Sequence, residues 1–460
     1  MIKRSLSALA IACIAMGTGH ASPSVDAPVE LRALLPGDPA KPGPGCAMAV
    51  FRDGRLQSLV SDGYANLETM TPLDGDTRFY AASISKQFSA LALVQLSLQG
   101  KVDLDGDVRQ WLPELPRYDA TITPRMLLQH RSGILDSLSL VRLGAPSGSA
   151  GSTSRADTLA LVLAQPRTNF TPGTETYYSN GAFLLVAELI QRVSGIGYAD
   201  YINRHVLAPM GMRDSYMLDG DPRPSAHRAH GYRPVAGGYE IRDTFPRYGG
   251  SGGLMLTLND LARYEYDIER GHRVWTPDVR RVMEEPGTLS NGKPAYTQDR
   301  AGGLVYASGL MVGQIDGRHI VEHSGGADAF QHMYSRVPAE KFAVAALCNL
   351  GRSGAAEKVH AAINLLLAPT PEQLAQLPAT GLYRGDSLPA RYLLWRNGDD
   401  RASLAILPDG NALPSSVVEL QREKDGSYRG GGLRLEATDA RTLIFGTDRA
   451  RGLRATRIKH

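Results

Sequence analysis

Cysteine is nearly absent from this chain: there are three in 460 residues. Cys13 lies in a short apolar stretch near the N-terminus, so Cys46 and Cys348 are the two that matter. Two thiols make neither a disulfide framework nor a metal set. His130 and His323 have no cluster of ligand-type partners around them, so no metal is expected and His130 reads as structural. No cofactor is implied. A dominant charge is also missing. Lys and Arg number 50 against 47 Asp and Glu, a formal net charge of +3. That excludes an electrostatic case for nucleic acid or acidic lipid. Long hydrophobic runs are missing too. Leu6 to Met16 is too short to cross a bilayer, and no other stretch approaches that length, so no stable membrane span is expected. Lys3 and Arg4 precede that run and Gly19-His20-Ala21 follows it, which reads as a secretory signal peptide, residues 1–21, cleaved after Ala21. Cleavage removes two positive charges and leaves +1. The mature protein is then expected in the periplasm or outside the cell, with a small-molecule or short-peptide substrate as its partner. Cys46 and Cys348 could pair there if close, but the residues alone favour two separate buried thiols.

What is present has the texture of a folded chain, 43% hydrophobic and 21% charged. Residues 22–45 are rich in Pro and Gly and read as a leader. Cys46 to Phe51 is apolar, and the Asp53-Gly54 pair after it signals a hairpin. Ile84 to Leu98 is apolar on every side, the mark of a central helix, and Gly100 suits its C-terminal end. Ala182 to Val193 is a second helix. Thr257 to Asp260 resembles a capping box before a third, Leu261 to Glu269. Arg318 to His323, Phe330 to Val337 and Phe342 to Leu347 read as an antiparallel meander, and residues 355–367 as a last helix. This is an α+β pattern with one sheet built from both ends of residues 22–367. Residues 368–381 read as a linker, and 382–460, with short alternating segments and Asp-Gly turns, as a small separate β domain.

The chemistry centres on FYAASISKQFSALAL, where Lys86 lies among Ser83, Ser85 and Ser89. On a helix, i and i+3 share a face and i and i+1 do not. Ser83 therefore faces Lys86 and Ser85 does not, while Ser89 lies a turn deeper in apolar sequence. Burial and the positive end of a helix both disfavour a charged lysine and so make it a base. The same helix start offers an N–H to a developing oxyanion. Ser290-Asn291-Gly292-Lys293 repeats the spacing, but Asn-Gly and Pro294 make it a turn. Tyr178-Ser179-Asn180 sits in a polar loop just before a helix, and His323-Ser324-Gly325-Gly326 ends an expected strand.

Ser-x-x-Lys, Tyr-x-Asn and His-x-Gly in this order resemble the pattern of the penicillin-recognising serine hydrolases. These comprise class C β-lactamases, D-Ala-D-Ala carboxypeptidases, D-aminopeptidases and family VIII esterases. Tyr178 follows Ser83 by 95 residues and His323 follows Tyr178 by 145, spacings similar to theirs. The segments ITPRMLLQHRSGILD, LAPMGMRDS, GSGGLMLTLNDLARY and HSGGADAF look similar too, so the resemblance covers roughly residues 45–366. It implies a β-lactamase/transpeptidase-like fold. It implies Ser83 as acylated nucleophile, Lys86 as its base, Tyr178 as proton shuttle and Asn180 as a substrate-amide contact. His323, Ser324 and Gly325 would form the strand edge along which substrate lies, and the N–H groups of Ser83 and Gly326 the oxyanion hole. It places the first and last strands side by side, so Cys46 and Cys348 could pair. It likens the last domain to the small lipocalin-like appendages of some relatives.

Many members have lysine where this chain has His323. Histidine is largely neutral near pH 7, which disfavours substrate carboxylates and tilts the expectation toward amides or esters. The reading is thus an exported serine hydrolase of D-amino-acid peptides or amides, or of small carboxylic esters. The alternatives are a β-lactamase or D-Ala-D-Ala carboxypeptidase, a non-catalytic wall-peptide or penicillin sensor, and an interaction module carried by the last domain. Gly249 to Gly253 also matches Gly-x-Ser-x-Gly. The polar, Pro-containing segment before it lacks the required strand, so it reads as a flexible turn.

Overall fold

The computed structural model describes residues 28–35, 42–144, 149, 151–296, 303–315, 317–367, 379–396, 400–409, 416–447 and 450–458. The expected signal peptide and most of the expected linker lie outside them.

Strand β1 (Cys46–Arg52) turns at Asp53 and Gly54, both at positive φ, into β2 (Arg55–Asp62). The Asp-Gly pair thus makes the hairpin its composition called for. The central helix α1 (Ser85–Leu98) follows, nearly all of it buried. Further along the chain, after shorter helices, lie α2 (Asn180–Ser194) and α3 (Leu258–Tyr266). Then come β3 (Leu304–Tyr306), β4 (Met311–Ile315), β5 (Arg318–Ala327), β6 (Phe330–Val337), β7 (Phe342–Cys348) and helix α4 (Ala355–Leu366). These strands form one antiparallel sheet, ordered β3-β4-β5-β6-β7-β1-β2, so both ends of the domain meet at its centre.

The sheet is buried on both faces. In β1, Ala47, Ala49 and Phe51 join the core shared with α1 and α2, while Cys46, Met48 and Val50 join the core shared with α4. This period-two split is the strand's own geometry. Cys46 and Cys348 are register partners on β1 and β7, with Cα atoms 4.1 Å apart, and are disulfide-bonded. The preference for two separate thiols, drawn from the residues alone, is therefore wrong. Strand pairing joins positions 302 residues apart in sequence, which composition cannot register.

Three boundaries also move. Helix α2 starts at Asn180 rather than Ala182, because the Ser179 hydroxyl accepts the Ala182 N–H and caps it. Helix α3 starts at Leu258 on the Thr257 cap, but Asp260 does not complete a capping box. Its carboxylate instead accepts the N–H groups of Asp214 and Ser215. Strand β5 runs on to Ala327, so His323 to Gly326 lie within it rather than at its end.

The last domain is a closed barrel of eight strands, from Gly381–Gly385 to Ala450–Arg457. Tyr392 and Leu394 of the strand Ala390–Arg396 point into the barrel core, while Leu393 and Trp395 pack with α4 in the sheet's second core. The barrel interior is filled with side chains including Tyr383, Tyr428, Leu435 and Phe445. The domain is thus an all-β barrel docked on the face of the sheet away from α1. No single helix among the described residues is long and apolar enough to cross a membrane.

Candidate active site

Ser83 sits in a tight turn, Ala82–Ile84, that leads directly into α1. Ala82 has φ +47°. That left-handed backbone costs an alanine on the order of 1–2 kcal/mol and is held only where the surroundings insist on it. They do so here. Strand β5 passes so close that a Cβ on Gly325 would lie 2.5 Å from the Ala81 carbonyl oxygen. His332 on β6 accepts the Cys348 N–H at Nδ1, and its Nε2 lies 2.9 Å from the Tyr80 carbonyl. The ring thereby ties the chain before Ser83 to β7.

Lys86 is completely buried. Its Nζ lies 3.1 Å from Ser83 Oγ, 2.9 Å from Asn180 Oδ1 and 2.7 Å from the Ser251 carbonyl oxygen. It also lies over the Tyr178 ring, 4.7 Å from its centre. Burial pushes the amine down to about 7, against the opposing pull of Asp136. Burial dominates, whereas the sequence reading shared the effect between burial and the helix end. A neutral amine has two N–H bonds and one lone pair. With the hydrogens on Asn180 and Ser251, the lone pair faces the Ser83 hydroxyl and can take its proton. Ser85 turns away, donating to the Ala82 carbonyl and accepting the Leu254 N–H. Ser89 is buried against Tyr198 and the Gly250 carbonyl. The selection of Ser83 from i, i+3 geometry holds.

Asn180 opens α2. Its backbone N–H and its Nδ2 both donate to Asp136 Oδ1, each at 2.8 Å. Asp136 is a member of the site that sequence reasoning missed, although it closes the segment ITPRMLLQHRSGILD. Nothing local marks an aspartate 44 residues upstream as a partner of Asn180. Ser251 was missed too, in the stretch taken for a flexible turn. Its glycines permit close approach: a Cβ on Gly252 would come within 2.5 Å of the Tyr80 hydroxyl.

His323 is buried. Its Nε2 lies 2.6 Å from the Tyr306 hydroxyl and its Nδ1 2.5 Å from the Ser324 carbonyl oxygen. A carbonyl can only accept, so the proton sits on Nδ1 and Nε2 accepts from tyrosine. Burial, and next the charge on Lys86, hold this ring down to about 4. The expected neutral histidine is what the geometry holds. His130 is a second neutral ring, well below the usual histidine value for the same two reasons, with His323 adding to them. Its Nδ1 accepts the Ser179 N–H, its carbonyl accepts the Tyr177 N–H, and its ring lies 4.3 Å from that of Tyr178, tilted by 37°. It was read as structural; it also lines the cavity.

That cavity measures about 340 Å³ and is lined by Ser83, Tyr178, His323, Ser324 and Gly326, with His130, Thr176, Tyr177, Tyr306 and Met311. Strand β4 pairs with β5 only as far as Glu322, so residues 323–327 present an edge with no strand neighbour on that side among the described residues. Of the residues singled out from sequence, Ser83, Tyr178, His323, Ser324 and Gly326 line the cavity, Lys86 and Asn180 lie just behind its wall, and Gly325 packs against the Ala81 carbonyl instead of lining it. Among the described residues no group of three His, Cys, Asp or Glu could hold a metal.

A family model described as Beta-lactamase matches residues 32–368. The chain belongs to the β-lactamase family. The D-aminopeptidase of Cereibacter sphaeroides (strain ATCC 17023) is 27% identical over 404 residues, covering 87% of this chain and 74% of that protein. The D-aminopeptidase of Gluconobacter oxydans is 29% identical over 373 residues, covering 79% and 67%. Among solved structures, the octameric penicillin-binding protein homologue from Pyrococcus abyssi aligns with a TM-score of 0.66 at 24% identity, covering 90% of this chain and 96% of that one. A D-stereospecific amidohydrolase from Streptomyces sp. aligns with a TM-score of 0.57 at 24% identity, covering 73% and 97%. The fold is thus the β-lactamase/transpeptidase-like fold with a C-terminal barrel, and the protein is a serine hydrolase of the β-lactamase superfamily.

Proposed function

We propose that the protein is an exported hydrolase that cleaves an amide or ester through an acyl-enzyme on Ser83. One observation carries this: the buried Lys86 amine is bonded to Asn180 and Ser251 and faces the Ser83 hydroxyl. In the first half-reaction, Lys86 Nζ takes the Ser83 proton as the Oγ–C bond forms. The N–H groups of Ser83 and Gly326 stabilise the oxyanion. The C–N or C–O bond then breaks, and the leaving amine or alcohol takes the proton by way of Tyr178. Water reverses the sequence and releases the acid. Asn180 holds Lys86, and the second hydrogen on its Nδ2 can meet a substrate carbonyl. The edge formed by His323, Ser324 and Gly325 carries the substrate chain.

The named relatives bring D-amino-acid amides and peptides into the substrate class, alongside small esters. The neutral His323 speaks against β-lactams and D-Ala-D-Ala peptides, whose carboxylate needs a cation. The disulfide supports an oxidising compartment, and N-terminal sequencing of the mature protein checks cleavage after Ala21. The reading is tested by a parallel assay on nitrocefin, a D-amino-acid amide, a D-Ala-D-Ala peptide and a short-chain p-nitrophenyl ester. Amide or ester turnover that vanishes in Ser83→Ala supports it. Full activity in that variant sinks it, and a mature protein that acylates once and never turns over supports the sensor instead.

A further inference from the structure

The cavity wall carries no Asp, Glu, Lys or Arg among the described residues. Its polar groups are hydroxyls and two imidazoles, and each imidazole is held neutral by a bond it accepts. His323 Nε2 accepts a hydrogen bond from the Tyr306 hydroxyl, and His130 Nδ1 accepts one from the Ser179 N–H. Protonating either ring would break that bond in a buried place. The remaining surface is aromatic or apolar, from Tyr177, Tyr178, Tyr306 and Met311.

The charges behind the wall are already committed. Asp136 Oδ1 accepts two bonds from Asn180, and its Oδ2 accepts the Ser139 N–H and hydroxyl. It therefore has little left for a substrate ammonium, which would also face Lys86. A substrate carboxylate would have the opposite effect. It would favour the ammonium form of Lys86 and so disable the base.

Building on the Ser83 acyl-enzyme reading, we propose that the cavity takes an uncharged acyl group. The preferred substrate is a simple carboxylic ester, or a D-amino-acid derivative whose amino group is acylated. It is preferred over a free D-amino-acid amide and over a substrate whose acyl portion carries a carboxylate.

The test compares one scaffold in three charge states: N-acetyl-D-alanine, D-alanine and N-succinyl-D-alanine p-nitroanilides, each paired with its p-nitrophenyl ester in case amide turnover is slow. At pH 6.5, kcat/KM for the acetylated compounds should exceed that for either charged series by about tenfold or more, the size of one poorly met charge. Charge and size are separated by pH. A free α-amine loses its proton at about pH 7.7–8.0, so the gap between acetylated and free amine should narrow at pH 9. Tyr177→Glu places a carboxylate at the half-exposed cavity mouth and should shift preference several-fold toward the free amine. A Ser83-dependent preference for the free amine at pH 6.5, or a gap unchanged at pH 9, overturns this inference and leaves the acyl-enzyme reading standing. Turnover that persists in Ser83→Ala removes both.

Discussion

The chain contains Ser-x-x-Lys twice, and the two copies share nothing but spacing. At Ser83 and Lys86 the motif opens a buried helix, and the lysine amine is enclosed by a serine, an asparagine and a carbonyl. At Ser290 and Lys293 both residues are exposed, and the Lys293 carbonyl closes a turn by accepting the Leu289 N–H. A buried lysine surrendering its proton near pH 7 is a base, whereas a solvated one is a cation. The motif is only a spacing, and burial supplies the chemistry.

The strongest way to break this comparison is to mutate both copies. Ser83→Ala should lower kcat/KM on a neutral p-nitrophenyl ester by at least ~10³-fold. Ser290→Ala and Lys293→Ala should stay within about twofold, as exposed substitutions do.

A pH profile sharpens it. The base must be unprotonated, so kcat/KM should rise with pH through a midpoint near Lys86's value of about 7. His323→Gln should leave that midpoint in place, because His323 is already neutral down to about 4. A midpoint that disappears in this variant would assign it to the histidine instead. The unfolded chain binds more protons at Lys86 between about 7 and 10.5, so this lysine lowers stability at the acid end of that window. Lys86→Met should therefore abolish activity while the melting temperature at pH 7 holds or rises.

A smaller effect is expected behind the lysine. Asp136→Ala leaves the Asn180 N–H and amide without their acceptor. That costs ~1–3 kcal/mol where such groups are buried, or about a ten- to hundred-fold fall in kcat. Asn180→Ala, which releases Lys86 directly, should fall at least as far. Equal rates for Asp136→Ala and the parent would show that Asp136 does not hold Asn180.

The last two predictions concern stability. Replacing Cys46 and Cys348 by serine should cost about 2–5 kcal/mol on denaturant unfolding while sparing the pH profile. His323 and His332 are both held near 4 by burial. The unfolded chain binds their protons first, so stability should fall as pH drops from about 6.5 toward 4. A melting temperature flat across that window would contradict their neutral assignment.

Much of the fold was legible because its signals are local. The Asp53-Gly54 hairpin, the apolar helix over Lys86 and the strand meander each declare themselves within a dozen residues. Boundaries slipped where a side chain chose a partner far away. Ser179 capped α2 two residues earlier than periodicity suggests, and Asp260 served Asp214 and Ser215 instead of its own helix. Of the site, Ser83 and Lys86 could be singled out because helical spacing pairs them, and Tyr178, Asn180 and His323 because three short patterns in this order resemble those of a known family. Asp136, the Ser251 carbonyl and the role of His130 could not. Asp136 acts through another residue, Ser251 acts through its backbone, and His130 acts by packing against Tyr178 and by accepting a main-chain bond.

By itself the sequence determined which serine can face which lysine, since helical spacing is a property of the backbone. It also determined that the strand residue over the site is a histidine and not a permanent cation. The tertiary structure alone decided that Lys86 is dry enough to be a base, that His323 and His130 are locked neutral, and that Cys46 meets Cys348. Each of these depends on which distant segments exclude water from a point or bring two atoms into contact. Desolvation and proximity are sums over the folded surroundings, and no window of sequence contains them.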